Sequence, residues 1–122
     1  MTWEFNDFAP IYIQLIDQIQ LRIISRVYPI GEKLPSVRDM AKEASVNPNT
    51  MQKALTELER RGLVYSQRTA GRFITEDLDM IKDMKKDLAK EQVENFLLGM
   101  KKIGFDKKES ISIMEKLAKE ME

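Results

Sequence analysis

Two helix starts lie eleven residues apart in the middle of the sequence, and this spacing limits the folds open to the chain. Ser36 is an N-cap candidate, because Asp39 follows three residues later in capping-box register. Asn47 is a second N-cap candidate, because Pro48 follows at the first helical position, where a helix tolerates proline. Residues 45–46 leave room for only a tight turn. The spacing therefore predicts two short helices joined by that turn.

The apolar residues of both predicted helices recur at helical spacing, so each helix has one buried face. In the first helix these residues are Val37, Met40, Ala41 and Ala44. In the second helix they are Met51, Leu55 and Leu58. Gly62 ends the second helix. The opposite face of the second helix is left polar and is expected to point outward.

A longer helix is predicted ahead of this pair, from Pro10 to about Arg26, and the breakers in residues 28–31 end it. Its main apolar stripe contains Tyr12, Leu15 or Ile16, Ile19 and Ile23. Its other faces carry Ile11, Ile13, Leu21 and Ile24. A helix that is apolar nearly all round must be covered on more than one side. We therefore expect the C-terminal tail or a partner chain to pack against it.

Two short strands are predicted after the helix pair, at residues 63–67 and 72–75, with a hairpin turn at residues 68–71. The order helix, short helix, tight turn, helix, hairpin is that of a winged helix-turn-helix. The sequence therefore predicts a mainly α-helical protein with a small β-hairpin, in which residues 1–75 form the winged helix-turn-helix.

Residues 76–122 are predicted to form a two-helix tail, with Gly99 and Gly104 bracketing the break and Asp106 capping the last helix. Two helices packed only on each other leave apolar surface open, and one small winged helix cannot cover the apolar faces of both tail helices. A two-fold partner buries the same patch twice, so we expect a homodimer. The residues expected at its interface are Ile81, Met84, Leu88, Phe96, Leu97, Ile111, Met114 and Leu117.

The charge of the chain is divided unevenly, although its formal net charge is zero. Residues 33–72 contain eight Lys and Arg against four Asp and Glu, whereas residues 76–122 contain ten Lys against twelve Asp and Glu. A basic middle followed by a slightly acidic tail indicates two modules with different partners. The basic module suits double-stranded DNA.

Histidine and cysteine are both missing from the sequence. The chain therefore lacks the commonest general base and transition-metal ligand, and it can form no disulfide. We expect no enzymatic activity, no catalytic residue, no metal and no cofactor. No signal segment and no long apolar run is present, which predicts a cytoplasmic protein that does not enter a membrane.

The candidate DNA-binding residues lie on the second helix of the pair and around it. Asn49, Thr50 and Lys53 lie opposite the buried stripe, and Gln52 flanks them. Asn and Gln can bind adenine through paired hydrogen bonds, and Lys can reach guanine or a phosphate. The other candidates are Ser36, Arg38 and Asn47 at the helix starts and Arg68, Gly71 and Arg72 at the hairpin. Capping is the main role expected of Ser36 and Asn47.

These segments, in their order, resemble the GntR family of bacterial regulators. Residues 31–41, GEKLPSVRDMA, are similar to the family signature G-x-x-L-P-S-x-R-x-L-A, and residues 46–55, VNPNTMQKAL, resemble its recognition helix. Residues 58–64 and 71–74 resemble the helix end and the wing, and residues 10–15 resemble the opening P-x-Y-x-Q-[LI]. The resemblance spans about residues 8–75.

The Val46-Asn-Pro-Asn-Thr form and the short two-helix tail resemble the YtrA subfamily, in which two tail helices make the dimer and no large effector-binding domain is present. The resemblance implies DNA contacts for the wing around Gly71 and for Arg38, Asn49, Thr50, Gln52 and Lys53. At the wing the sequence departs from the pattern, because Thr69-Ala70-Gly71-Arg72 stands where many relatives have G-x-G-T.

The function implied is a repressor that binds an inverted-repeat operator as a homodimer. A small-molecule effector, if one exists, would change the angle between the two halves. A second hypothesis is a winged-helix adaptor that binds a protein without reading DNA, with Trp3, Phe5 and Phe8 as its anchor. The basic charge of residues 33–72 favours DNA, because an adaptor does not need it.

Overall fold

The computed structural model describes residues 1–122 as five helices and one two-stranded antiparallel hairpin. In chain order the elements are α1 (Ile11–Ile24), α2 (Val37–Ala44), α3 (Pro48–Arg60), β1 (Val64–Gln67), β2 (Gly71–Ile74), α4 (Leu78–Lys102) and α5 (Lys107–Glu120). The predicted fold class is confirmed. The chain divides into two compact units, residues 1–82 and residues 83–122, so the first turn of α4 belongs to the first unit. No helix combines the length and the apolar character needed to cross a lipid bilayer.

The core of the first unit is built around α3, which packs against both α1 and α2. The buried residues of α3 are Met51, Ala54, Leu55 and Leu58. Those of the other two helices include Leu15, Ile19, Ile23, Met40, Ala41 and Ala44. Each large apolar side chain that leaves water in this way stabilises the fold by about 1.5–3 kcal/mol. The predicted stripes are confirmed, except that Tyr12 and Val37 are only half-buried.

Both predicted N-caps are in place. The Oγ atom of Ser36 accepts a hydrogen bond from the backbone N–H of Asp39 at 3.1 Å. The Oδ1 atom of Asn47 accepts one from the backbone N–H of Asn49 at 2.7 Å. Between the helices, Ser45 adopts a left-handed conformation with φ of 57° and ends α2. The caps and this turn fix where α3 begins relative to α2.

The hairpin is widened by a third segment, residues 32–34. In the hairpin itself, Tyr65 pairs with Phe73, and their rings stack with centroids 5.7 Å apart. The backbone N–H of Leu34 donates to the carbonyl of Arg72 at 2.8 Å, and the N–H of Ile74 donates to the carbonyl of Glu32 at 2.9 Å. Residues 32–34 therefore run alongside β2 and tie the wing to the start of α2.

Residues 1–9 run along α1 and cover part of it. The side chains of Gln14 and Gln18 hydrogen-bond to the backbone of this arm. The ring of Trp3 lies 3.5 Å from the guanidinium carbon of Arg22, and its indole N–H donates to Glu43 at 3.2 Å. Trp3 is therefore engaged within the chain, whereas Phe8, the other end of the proposed adaptor anchor, is 94% exposed.

Arg22 is only 2% exposed, so it is a core residue. The sequence analysis did not predict this. The Arg22 guanidinium donates to the backbone carbonyl of Met1 at 3.2 Å and lies under the Trp3 ring. Part of the cover for α1 thus comes from the chain's own N-terminus. The apolar α1 residues that remain exposed are Ile11, Ile13 and Leu21.

Two predicted helix boundaries are wrong. Helix α1 ends at Ile24 and not at Arg26, because Arg26 takes a left-handed φ of 66° that no helix continues through. Gly99 lies inside α4 and does not begin the break. A glycine inside a helix costs only about 0.5–1 kcal/mol relative to alanine, which a long helix tolerates. Gly104, with φ of 97°, is the residue at which the chain turns.

The second unit consists of the whole of α5 and of α4 from residue 83 onward. Asp106 and Glu109 form the predicted cap of α5 as a reciprocal capping box, with bonds of 2.7 and 3.2 Å. Of the residues expected at a dimer interface, Met84, Leu88, Phe96 and Leu97 are half-buried within the chain. Ile111, Met114 and Leu117 are 44–53% exposed. Ile81 is only 3% exposed and belongs to the first unit, so it is a core residue and not an interface residue.

The packing of α1 on α3 gives a prediction about stability. Ile19 is fully buried, whereas Ile13 on the same helix is 39% exposed. We expect Ile19→Ala to lower the free energy of unfolding by about 2–5 kcal/mol, because it leaves a cavity in the core. Ile13→Ala, the matched control, should cost less than about 1 kcal/mol. Urea denaturation followed by circular dichroism measures both, and equal losses would contradict the packing described.

Candidate nucleic-acid interface

The N-terminal half of α3 presents its polar side chains to solvent. Asn49, Gln52 and Lys53 are exposed, and Thr50 is half-buried. The buried stripe causes this arrangement, because it holds the opposite side of the helix against α1 and α2. The structure thus brings together the four side chains that the sequence predicted for base contact.

Lys53 has a neighbour that the sequence analysis did not anticipate. Its Nζ atom lies 3.8 Å from the centre of the Tyr12 ring on α1. A cation–π contact at an exposed site contributes about 0.5–1 kcal/mol, which is small enough for a phosphate or a base to displace it. The contact therefore holds Lys53 at the α1 side of the surface without removing it from reach of a ligand.

Helix α2 forms one border of this surface. Ser36 and Asn47 are occupied as caps, as expected. Arg38 is the second residue of α2, and its side chain is exposed. The first backbone N–H groups of a helix carry partial positive charge, so the start of α2 and the Arg38 guanidinium together suit a phosphate.

The wing forms another border, and an open groove of about 710 Å³ lies between it and the start of α2. Arg68 is exposed at the turn of the hairpin. Gly71 has φ of 109°, a conformation that favours glycine, and a β-carbon there would lie 2.8 Å from Cε of Lys33. Lys33 therefore lines the groove beside the wing. Sequence reasoning missed it, although its place in the extended segment before α2 was a usable signal.

Arg72 does not extend freely from the wing. Its Nε atom forms a hydrogen-bonded ion pair with Glu59 of α3, and its Nη1 atom lies 3.5 Å from Oε1 of Gln52. The same Glu59 oxygen accepts a hydrogen bond from the Oγ atom of Ser66 at 2.8 Å. The structure thus places Arg72 between the wing and α3, with its side chain 19% exposed.

The acidic side chains of α3 are all paired with cations. Partial burial raises the pKa of Glu59, but the hydrogen bonds from Arg72 and Ser66 and the charge of Arg72 lower it further, so the net shift is downward. The hydrogen bond from Arg60 is the main reason that the pKa of Glu57 falls to about 2. Arg61 also pairs with Glu57, at 3.1 Å. The chain has no group of three or more side chains placed to hold a metal ion.

Two helices joined by a tight turn, with an exposed polar helix and a flanking hairpin, define the chain as a winged helix-turn-helix protein of the DNA-binding class. The sequence model of the bacterial regulatory proteins of the gntR family matches residues 11–74. The chain therefore belongs to the GntR family of bacterial transcriptional regulators, as its motifs indicated.

Two relatives from Bacillus subtilis (strain 168) narrow the family to a subgroup. The HTH-type transcriptional regulator YhcF is 41% identical over 111 residues, which cover 91% of this chain and 92% of YhcF. The HTH-type transcriptional repressor YtrA is 36% identical over 91 residues, which cover 74% of this chain and 70% of YtrA. The predicted YtrA-like subgroup is thereby confirmed.

Solved structures agree with this assignment. A GntR family transcriptional regulator from Listeria monocytogenes is 39% identical and superposes with a TM-score of 0.84, covering 92% of this chain and 98% of that one. The DNA-binding domain of AraR, crystallised in complex with operator ORR3, is 25% identical with a TM-score of 0.53. That match covers 59% of this chain and 87% of the AraR chain.

The exposed position of Arg38 gives a second prediction. We expect Arg38→Ala to weaken binding to every DNA sequence about equally, because a phosphate contact carries no sequence information. The plot of log affinity against log salt should become shallower by roughly one unit per half-site. Fluorescence anisotropy over a range of salt concentrations measures both effects. Lys90→Ala, which removes a charge from the tail, is the control, and a loss confined to one base pair would contradict the assignment.

Proposed function

We propose that this chain represses transcription by binding an inverted-repeat operator as a homodimer. The observation that carries the proposal is the group at the start of α3 that contains the exposed side chains of Asn49, Gln52 and Lys53 and the half-buried Thr50. In this architecture the start of that helix enters the major groove. YtrA, which is described as a repressor, and AraR, which was crystallised on operator DNA, support the proposal.

The chemistry of the α3 surface suits sequence reading. The side-chain amide of Asn49 offers a donor and an acceptor, the combination that matches the major-groove edge of adenine, and the amide of Gln52 can also hydrogen-bond to a base. Thr50 can contact a thymine methyl group or a phosphate, and Lys53 can reach guanine or a phosphate. Arg38 and Arg68 lie on the two borders, where they suit the DNA backbone.

The surface of α5 supports a second copy of the chain as a partner. One side of this helix carries Ile111, Met114, Leu117 and Met121, which are 44–78% exposed. The other side carries Ser112, Glu115, Lys116 and Lys119. Exposed apolar stripes of this kind mark interaction sites, and a two-fold contact covers the stripe on both copies at once.

A dimer sets the form of the operator. Two copies related by a two-fold axis present two α3 helices to successive major grooves, so the half-sites should form an inverted repeat about one helical turn apart. An effector that binds the tail would act by changing the angle between the two copies.

The proposed base contacts of Asn49, Thr50, Gln52 and Lys53 can be tested without knowing the operator in advance. Full-length protein should select an inverted repeat from a pool of random 30-base-pair duplexes, and the selected duplex then serves as the probe. We expect the double variant Gln52→Ala with Lys53→Ala to bind this probe at least about tenfold more weakly, because each lost base contact costs on the order of 1–3 kcal/mol. Fluorescence anisotropy measures the affinity.

The control for this experiment is Arg60→Ala, at the far end of the same helix, where the side chain pairs with Glu57. It should bind the selected duplex nearly as well as the wild type. Unchanged affinity of the double variant, with its helical content intact, would reject α3 as the reading helix. Failure to enrich any sequence would reject sequence-specific binding altogether.

The dimer can be tested on α5. We expect the wild type to have about twice the chain mass of 14.2 kDa in light scattering, and Met114→Glu with Leu117→Glu to have the mass of one chain. A charge on the apolar side of the helix must be desolvated in the interface, which disfavours association. The matched control is Ser112→Glu, which adds a charge to the polar side.

The same variants should differ in their affinity for the selected duplex: Ser112→Glu should bind like the wild type, and the monomeric double variant should bind more weakly. Loss of the second half-site removes the gain from bivalent binding, so the monomeric variant should bind about 100-fold more weakly or worse. A monomeric wild type at micromolar concentration, or a monomeric variant with wild-type affinity, would contradict the dimer.

A further inference from the structure

A cluster of four side chains joins the wing to the recognition helix, and we name it the Arg72 cluster: Gln52 and Glu59 of α3, Ser66 of β1 and Arg72 of β2. Arg72 and Ser66 both donate to Oε1 of Glu59. From that anchor the Arg72 guanidinium reaches Oε1 of Gln52 at 3.5 Å. Three elements of the DNA-binding unit are thereby linked through one carboxylate.

The anchor removes Arg72 from the set of free cations on the wing. Its side chain is 19% exposed and that of Glu59 is 30% exposed, so the pair is partly shielded from water. Partial burial raises the pKa of Glu59, but the hydrogen bonds from Arg72 and Ser66 and the charge of Arg72 lower it overall, because they favour its ionised form. The charge of Arg72 is therefore balanced within the protein, and a phosphate would have to compete with Glu59 for it.

The position of Gln52 explains why the same guanidinium reaches it. Gln52 and Glu59 are seven residues apart on α3, which places them on the same side of the helix two turns from each other. Arginine holds five N–H donors in a fixed planar fork, so one group can serve acceptors at two places. Because arginine offers only donors, it is the Gln52 carbonyl oxygen that faces Arg72, and the amide NH₂ group is left to face away.

We propose that Arg72 is a positioning residue that fixes the orientation of the Gln52 side-chain amide for base reading, and that it is not a phosphate ligand. This inference rests on the proposed operator binding. A free glutamine presents both a donor and an acceptor, which matches adenine. A glutamine whose oxygen faces Arg72 presents an N–H donor instead, which matches an acceptor such as O6 or N7 of guanine. The wing would thereby select which base α3 prefers.

The experiment uses the full-length chain and the duplex that the wild type selects, with each half-site base pair replaced in turn by the other three. Affinity is measured by fluorescence anisotropy at several salt concentrations. We expect Arg72→Thr to reduce discrimination at one base pair by about tenfold or more, because the amide is then free to rotate. The salt dependence should not change, because no phosphate contact is lost.

Two further variants keep the test independent of any folding defect in Arg72→Thr. Arg72→Lys keeps the charge but lacks the planar fork, so it should lose the same discrimination. Glu59→Gln removes the charged anchor of Arg72 and should also lose the discrimination at that base pair. In a Gln52→Ala background, Arg72→Thr should have no further effect on base preference, because the group that it orients is gone. Thermal unfolding identifies the variants that are folded and can be compared.

Several results would overturn the inference. Equal weakening on all duplexes with a salt dependence shallower by about one unit per half-site would make Arg72 a phosphate ligand. Wild-type discrimination in Arg72→Lys would show that charge alone suffices. An additive effect of Arg72→Thr and Gln52→Ala would show that the two side chains act separately. If the wild type itself selects no sequence, the proposed function fails, and that result is distinct from all of these.

Discussion

Burial of the apolar stripe on α3 is the constraint on which the rest of the structure depends. Met51, Ala54, Leu55 and Leu58 can leave water only if one side of the helix lies against α1 and α2. The other side must then face solvent, and that side carries Asn49, Gln52 and Lys53. The same packing that stabilises the unit therefore exposes its polar surface. A substitution that disturbs the stripe would move this polar surface as well as weaken the fold.

Polar contacts then set the surroundings of the exposed helix. The Asn47 cap fixes where α3 begins, and residues 32–34 hold the wing beside the start of α2. The Arg72 cluster joins the wing to the middle of α3. Lys53 rests on Tyr12 at the opposite side. The side chains of Gln52 and Lys53 thus have neighbours in place before any ligand arrives, which reduces the entropy lost on binding.

Local signals explain why much of this could be predicted from the sequence. The two N-caps, Pro48, the short turn and the hairpin each depend on residues close together in the chain, and all appear in the structure. Long-range contacts could not be predicted in the same way. Trp3 and Glu43 are 40 residues apart, and Arg72 and Gln52 are 20 apart, so no periodicity marks either pair. For that reason the sequence did not predict that Arg22 is buried or that Arg72 is paired. Ile81 fitted the apolar pattern of the tail, but the pattern does not show which unit covers it.

The central claim is that the start of α3 reads bases in the major groove. A crystal structure of the full-length chain on its selected duplex tests this claim most directly. The account predicts side-chain atoms of Asn49 and Gln52 within about 2.7–3.2 Å of base-edge atoms in the major groove, in both half-sites of an inverted repeat. A complex in which α3 lies outside the major groove, or in which these two side chains contact only phosphates, would contradict it.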